Sequence, residues 1–374
     1  MKTRIASSCA GVFLLMAALT TAEAAGGLTQ VAPWMSLGFY ARDIAIQGDF
    51  AYVTTDKGLT VVDLTNPAVP VKRGSLTLGG RGLGIKVLGD LAYVASQTKD
   101  LQIVNVSNPD APTLVVTKTL PGSAWDVALK DDRATGGRLI AYTASFAGEV
   151  YVVDVTNSAS PQQIRVLGVI AWGSAGGDVN SLKKLNAHVT SGNGKVTGLD
   201  VVGNHLIVVE WAYGRMYYYD ISNATQPMFA GTHYAPFTFR VKVDPAGQYA
   251  YSLSAYGSTS GIYSVPLDIL GPSYSTRHAT CGDCDYFQSP PTDNGGLTVS
   301  TNGTYVIYIA GKIGEVQVVD VTDPTDMKDV GSLPIPHHYA GTGYTMGVAQ
   351  YGDYIVAVGA RLGLAVFHFP GLSD

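Results

Sequence analysis

From residue 43 the chain alternates apolar and polar positions in short runs, and each run stops at Gly, Asn, Asp or Pro. Residues 43–47, 50–54, 59–64 and 71–76 read as strands, with Val61 and Val62 at the centre of the third. Gly48-Asp49, Asp56-Lys57-Gly58 and Thr65-Asn66-Pro67 separate them. Period-two alternation with β-branched residues between turn pairs predicts strands rather than helices. Short connections between successive strands predict an antiparallel meander of four.

This unit recurs. GLTVVDLTNPAVP (58–70) returns as DLQIVNVSNPDAP (100–112), EVYVVDVTNSASP (149–161), RMYYYDISNATQP (215–227) and EVQVVDVTDPTDM (315–327). Two degenerate copies, at 261–269 and 363–371, bring the number to seven. Strand-rich units repeating every 40–50 residues predict a β-propeller. Asp63, Asn105, Asp154, Asp220, Pro266, Asp320 and His368 hold equivalent places. The Asp and Asn side chains there are expected to accept hydrogen bonds from turn N–H groups, not to bind metal. The last unit stops after its third strand, whereas residues 31–40 precede the first unit and contain Met35-Ser36-Leu37-Gly38, which is like a fourth strand. The expected fold is therefore all-β: seven blades of four antiparallel strands, closed by an N-terminal strand that completes the last blade.

The repeated string resembles the LVIVD repeat of exported bacterial and archaeal proteins. The resemblance implies a propeller and export. That family has no agreed activity or catalytic motif, so it supplies no functional residues.

Composition narrows the function. Charged residues are 14% of the chain, the net charge is −5, and no basic cluster occurs. Nucleic-acid binding, which depends on phosphate neutralisation, is not expected. Residues 1–24 begin with Lys2 and Arg4, continue through an apolar stretch from Ala10 to Leu19, and finish near Ala22-Glu23-Ala24. That pattern reads as a secretory signal peptide. Residues 25–374 then form one propeller domain, exported to the periplasm, the cell surface or the medium. No later stretch is long and apolar enough to span a membrane. A monomer without cofactor is expected.

Candidate chemistry gathers in the crossings between blades, at one end of the predicted channel. These crossings hold Trp172, His188, His233, His337, His338 and Tyr339. A loop of the fourth unit adds Trp211, Tyr213 and Arg215, and Arg42, Arg81, Trp125 and Arg240 stand where first strands begin. Rings with Arg and His around a hollow suit a glycan, a peptide or a partner protein. A non-catalytic binding module is the leading reading. One alternative is a lyase or hydrolase of acidic polysaccharides, using Tyr or His with Arg. Another uses His278, Cys281 and Cys284 for a metal or for redox chemistry. In an exported protein, Cys281 and Cys284 more simply close a disulfide.

Overall fold

The structure is a computed structural model. It describes residues 27–168, 195–211, 214–234, 238–254, 261–267, 276–278, 295–310, 315–335, 345–359 and 363–373. Its strands form seven four-stranded sheets, and every pairing is between antiparallel neighbours. In blade one, Ala41–Gln47, Phe50–Thr55, Gly58–Asp63 and Val71–Thr77 run from the axis outward. The expected strands of this unit match within two residues.

The ring closes as the sequence implied. Thr29–Ser36 pairs antiparallel with Gly363–His368 and makes the outer strand of blade seven, with Thr29 opposite His368 and Ser36 opposite Gly363. Trp34 lies over Gly363, where any side chain would collide with its indole.

There is no single central core. Seven apolar clusters each fill the gap between two neighbouring blades. Between blades three and four, Tyr142 and Val152 meet Leu199, Tyr217 and Tyr219. Between blades seven and one, Val356, Val358 and Leu364 meet Val53 and Val62. Both faces of a blade are therefore buried, and the inner strands lose the alternation of a half-exposed sheet. In the strand Leu139–Ser145, every residue is buried. Buried tyrosines carry their hydroxyls across the gaps, as where Tyr142 donates to the Ala224 carbonyl at 2.6 Å.

The recurrent Asp or Asn holds a turn in each copy of the repeat where it occurs. The N–H groups of Thr65, Ser107, Thr156, Ser222 and Thr322 donate to Asp63, Asn105, Asp154, Asp220 and Asp320 at 2.8–3.0 Å. A second such turn follows three residues on, at Asn66, Asn108, Asn157, Asn223 and Asp323. The turn reading of these carboxylates is borne out.

Candidate functional site

The innermost strands line a channel, and one position in each determines its width. Counted from the turn that ends each strand, this position holds Asp43, Gly84, Asp126, Gly198, Arg240, Gly296 and Gly347. The glycines are demanded by contact. A Cβ on Gly296 would lie 2.5 Å from the Val348 nitrogen and 2.7 Å from the Gly347 carbonyl carbon. A Cβ on Gly347 would lie 2.9 Å from both the Cα of Asp43 and the nitrogen of Ile44. Neighbouring blades meet there backbone to backbone.

Charged side chains fill the positions that glycine leaves. Arg240 of blade five crosses the axis to Asp126 of blade three (3.3 Å) and Asp43 of blade one (3.9 Å). Two residues along the strands, Asp200 of blade four meets Lys86 of blade two and Lys242 of blade five, each at 3.5 Å. The carboxylates also tie blades together through backbone: Asp43 accepts from Ile85 N–H at 3.3 Å, Asp126 from Leu199 at 3.4 Å, and Asp200 from Val243 at 3.0 Å. Such bonds satisfy donors on strands that have no further neighbour. Burial pushes the Asp43 carboxyl up, against the pull of Arg240. Lys86 is pushed down, first by the Lys242 charge and then by burial. Beside the network is a cavity of about 210 Å³, bounded on the side of blades six and seven by Gly296, Thr298 and Ala349.

The channel mouth, where innermost strands start and second strands end, carries a second group. Arg42 donates to Asp56 at 2.7 Å, and Arg81 approaches the same oxygen at 3.2 Å. Farther round, Trp125 stacks on Phe146 with centroids 4.6 Å apart and planes 22° apart. Lys195 places its ammonium 4.6 Å from the Phe146 centroid and 5.4 Å from that of Trp211, and Trp211 in turn leans on Phe239. The Trp211 indole nitrogen is buried and has no hydrogen-bond partner among the described residues. Glu210, fully buried, accepts from the Lys195 N–H at 2.9 Å.

The residues expected at the mouth therefore separate. Arg42, Arg81, Trp125 and Trp211 are there. Arg240 lies deeper, inside the channel network. Arg215 pairs in register with Glu210 in the sheet of blade four. His233 is a packing residue of that sheet: its half-buried ring meets the edge of Tyr218 at 5.1 Å, and burial holds its pKa low. Trp172, His188, Tyr213, Cys281, Cys284, His337, His338 and Tyr339 lie outside the described residues, as do residues 1–24. His278 is described only as the end of a short strand, Thr276–His278. Among the described residues no cluster of His, Cys, Asp or Glu fits a metal ion, and no helix is long and apolar enough to cross a membrane. Sequence reading missed Asp43, Lys86, Asp126, Asp200 and Lys242, although a signal was present. Asp43, Gly84, Gly198 and Gly347 each stand five residues before a turn glycine, and Lys86 and Asp200 stand three before one.

Comparison with known proteins agrees with this architecture. The model of the LVIVD repeat matches residues 38–77, 79–118, 121–165 and 297–333. The chain carries LVIVD repeats. These LVIVD matches fall on blades one, two, three and six; of the unmatched units, those at 261–269 and 363–371 have lost the turn motif, whereas blade four keeps it at Asp220 and Asn223. No curated protein matches the chain. Solved structures share the fold at low identity. The WD40 β-propeller domain of Doa1 is 11% identical with a TM-score of 0.65, over 92% of this chain and 98% of that one. The β-propeller domain of Cps50 (Swd1) from Myceliophteria thermophila is 12% identical with a TM-score of 0.63, over 90% and 99%. A protein from Lactobacillus plantarum is 14% identical with a TM-score of 0.60, over 86% and 87%. At these identities the likeness is one of fold.

Proposed function

We propose that this LVIVD-repeat propeller is an exported, non-catalytic binding module that holds an acidic glycan at its channel mouth. The observation that carries the reading is the row Trp125, Phe146, Lys195, Trp211 and Phe239, built across blades three to five from strand ends and held by mutual ring and cation contacts. Ring faces stack on the apolar faces of sugars, and a cation over a ring adds a fixed charge beside them. Arg42, buried, and Arg81, partly exposed, meet at one carboxylate, Asp56, so the same rim presents the Arg81 guanidinium, of the kind that suits a uronate. A peptide or partner protein with exposed carboxylates presents related chemistry and is a second outcome of the test. Export rests on the signal-like residues 1–24, and one propeller domain over 25–374 rests on the unbroken run of repeats.

A glycan array probed with the mature protein should return uronate-bearing saccharides, and Trp211→Ala and Arg81→Ala should each weaken them about tenfold or more. An array that stays blank while pull-down recovers a protein whose capture depends on Trp211 would move the assignment to a protein partner. Silence in both assays would end the reading. Mass spectrometry of the exported protein should place its first residue near Ala25.

A further inference from the structure

The channel network is unevenly matched at two levels. Nearer the mouth, and among the described residues, one guanidinium (Arg240) faces two carboxylates, Asp126 at 3.3 Å and Asp43 at 3.9 Å. Two strand residues deeper, one carboxylate (Asp200) faces two ammonium groups, both 3.5 Å from the same oxygen. All four distances exceed the roughly 2.7–2.9 Å of a tight charge-assisted bond. A negative charge is thus in excess at the first level and a positive charge at the second, and the two surpluses are offset only from level to level, by Lys242 acting on Asp43 and Asp126 on Lys86. The upward displacement of Asp43 and the downward displacement of Lys86 fall on those two surplus charges.

Both levels open on the same cavity of about 210 Å³, and Asp43, Lys86, Asp126, Arg240 and Lys242 all reach its wall. The opposite wall, from blades six and seven, is Gly296, Leu297, Thr298, Val348 and Ala349, none of them charged, so the room beside the charges has no ionic partner on that side. Such a volume is below the ~300 Å³ at which drug-sized pockets begin, and suits a molecule of amino-acid size. The two levels are separated by two strand residues, roughly 7 Å.

We propose that this cavity binds a small zwitterion, an amino acid or other short amino-carboxylate, with its carboxylate between Lys86 and Lys242 and its ammonium group against Asp43 and Asp126. A ligand with both charges gives each level a closer partner than the other level provides and leaves the net charge of the channel unchanged. A ligand with one charge corrects one level only and adds a buried charge, which is costly without pairing. The site lies inside the ring and does not depend on the mouth row holding a glycan.

Calorimetric titration of the full exported chain with an ω-amino acid series (glycine, β-alanine, γ-aminobutyrate, δ-aminovalerate, ε-aminocaproate) tests this. Butyrate, valerate and butylamine are the one-charge analogues. Affinity should peak at an intermediate length and exceed that of the one-charge analogues by about tenfold. Lys86→Met should lower zwitterion affinity about tenfold and leave butylamine unaffected, whereas Asp43→Asn should do the same and spare butyrate. Equal affinity for butyrate and the zwitterions would make this a plain anion site and overturn the proposal. So would an absence of heat from the whole series at millimolar concentration, which would leave the network as a tie between blades. The series on the native chain decides the matter even where a variant fails to fold. It contains no saccharide, so its outcome is separate from that of the glycan array.

Discussion

Leu28 and Leu37 stand just outside the two ends of the strand that closes the ring, and both are fully buried. They face different gaps. Leu28 packs among Ile307, Phe367, Phe369 and Leu372 in the cluster shared by blades six and seven. Leu37 packs with Val53, Val62, Val358 and Leu364 in the cluster shared by blades seven and one. Truncating a buried leucine to alanine costs about 2–5 kcal/mol, the transfer term plus the cavity left behind. For a chain of this size each kcal/mol lowers Tm by about 1.4 °C, so Leu28→Ala and Leu37→Ala should each lower it by about 3–7 °C. The eight-residue strand between them spans roughly 26 Å, beyond the range at which substitutions couple, so the losses should add. Scanning calorimetry at one fixed scan rate measures all three. A double variant that melts with the native protein would show that the first strand carries no part of closure, and the ring would have to be held by other seams.

Three further outcomes follow from named contacts. Gly296→Ala drives a Cβ onto the backbone of blade seven; it should cost at least the about 1–3 kcal/mol of ordinary overpacking, read as a lowered denaturation midpoint, and an unchanged midpoint would refute the tight ring. Tyr142→Phe leaves the Ala224 carbonyl without its donor across the gap and should cost about 1–2 kcal/mol by chemical denaturation. The Asp220 carboxyl is held below its ordinary value by the Ser222 N–H and hydroxyl, and that of Asp323 by the Thr325 hydroxyl and N–H. A depressed carboxyl stabilises the fold above its unfolded value of 3.8 and loses that contribution as pH falls through the folded value. Asp220→Asn with Asp323→Asn keeps the turn acceptors and removes the titration, so stability at neutral pH should fall toward its acid value while stability below the folded values stays, flattening the acid slope of a melting-against-pH curve; an unaltered slope would refute the assignment.

Most of the architecture was legible because a propeller repeats its local rules. Alternation, turn pairs and the recurring Asp fixed seven units, and the ends of the third strands fall at Asp63, Asn105, Asp154, Asp220, Pro266, Asp320 and His368 as the motif implied. The unpaired last unit and the spare strand before the first pointed to closure, which the pairing of Thr29–Ser36 realises. The channel was harder to read. Lys86, Asp200 and Lys242 look like ordinary polar positions of alternating strands, and only the curvature of the ring turns them toward one another from blades two, four and five. Contacts such as Arg240 to Asp43 join residues almost two hundred apart in sequence, and no local pattern encodes them. At the mouth, Arg42 and Trp125 were legible from their place at strand starts, whereas His233 was not, because its neighbour across the sheet, Tyr218, determines where its ring lies.

The pairing of Thr29–Ser36 with Gly363–His368 also sets a timetable. Within the ring, the strand made first has to wait for the one made last, and until then its hydrogen-bonding edge and the apolar sides of Leu28 and Leu37 lie open to any passing strand. A protein assembled in this order gains from being kept unfolded until both of these strands are made, since a half-made circle is adhesive at both ends.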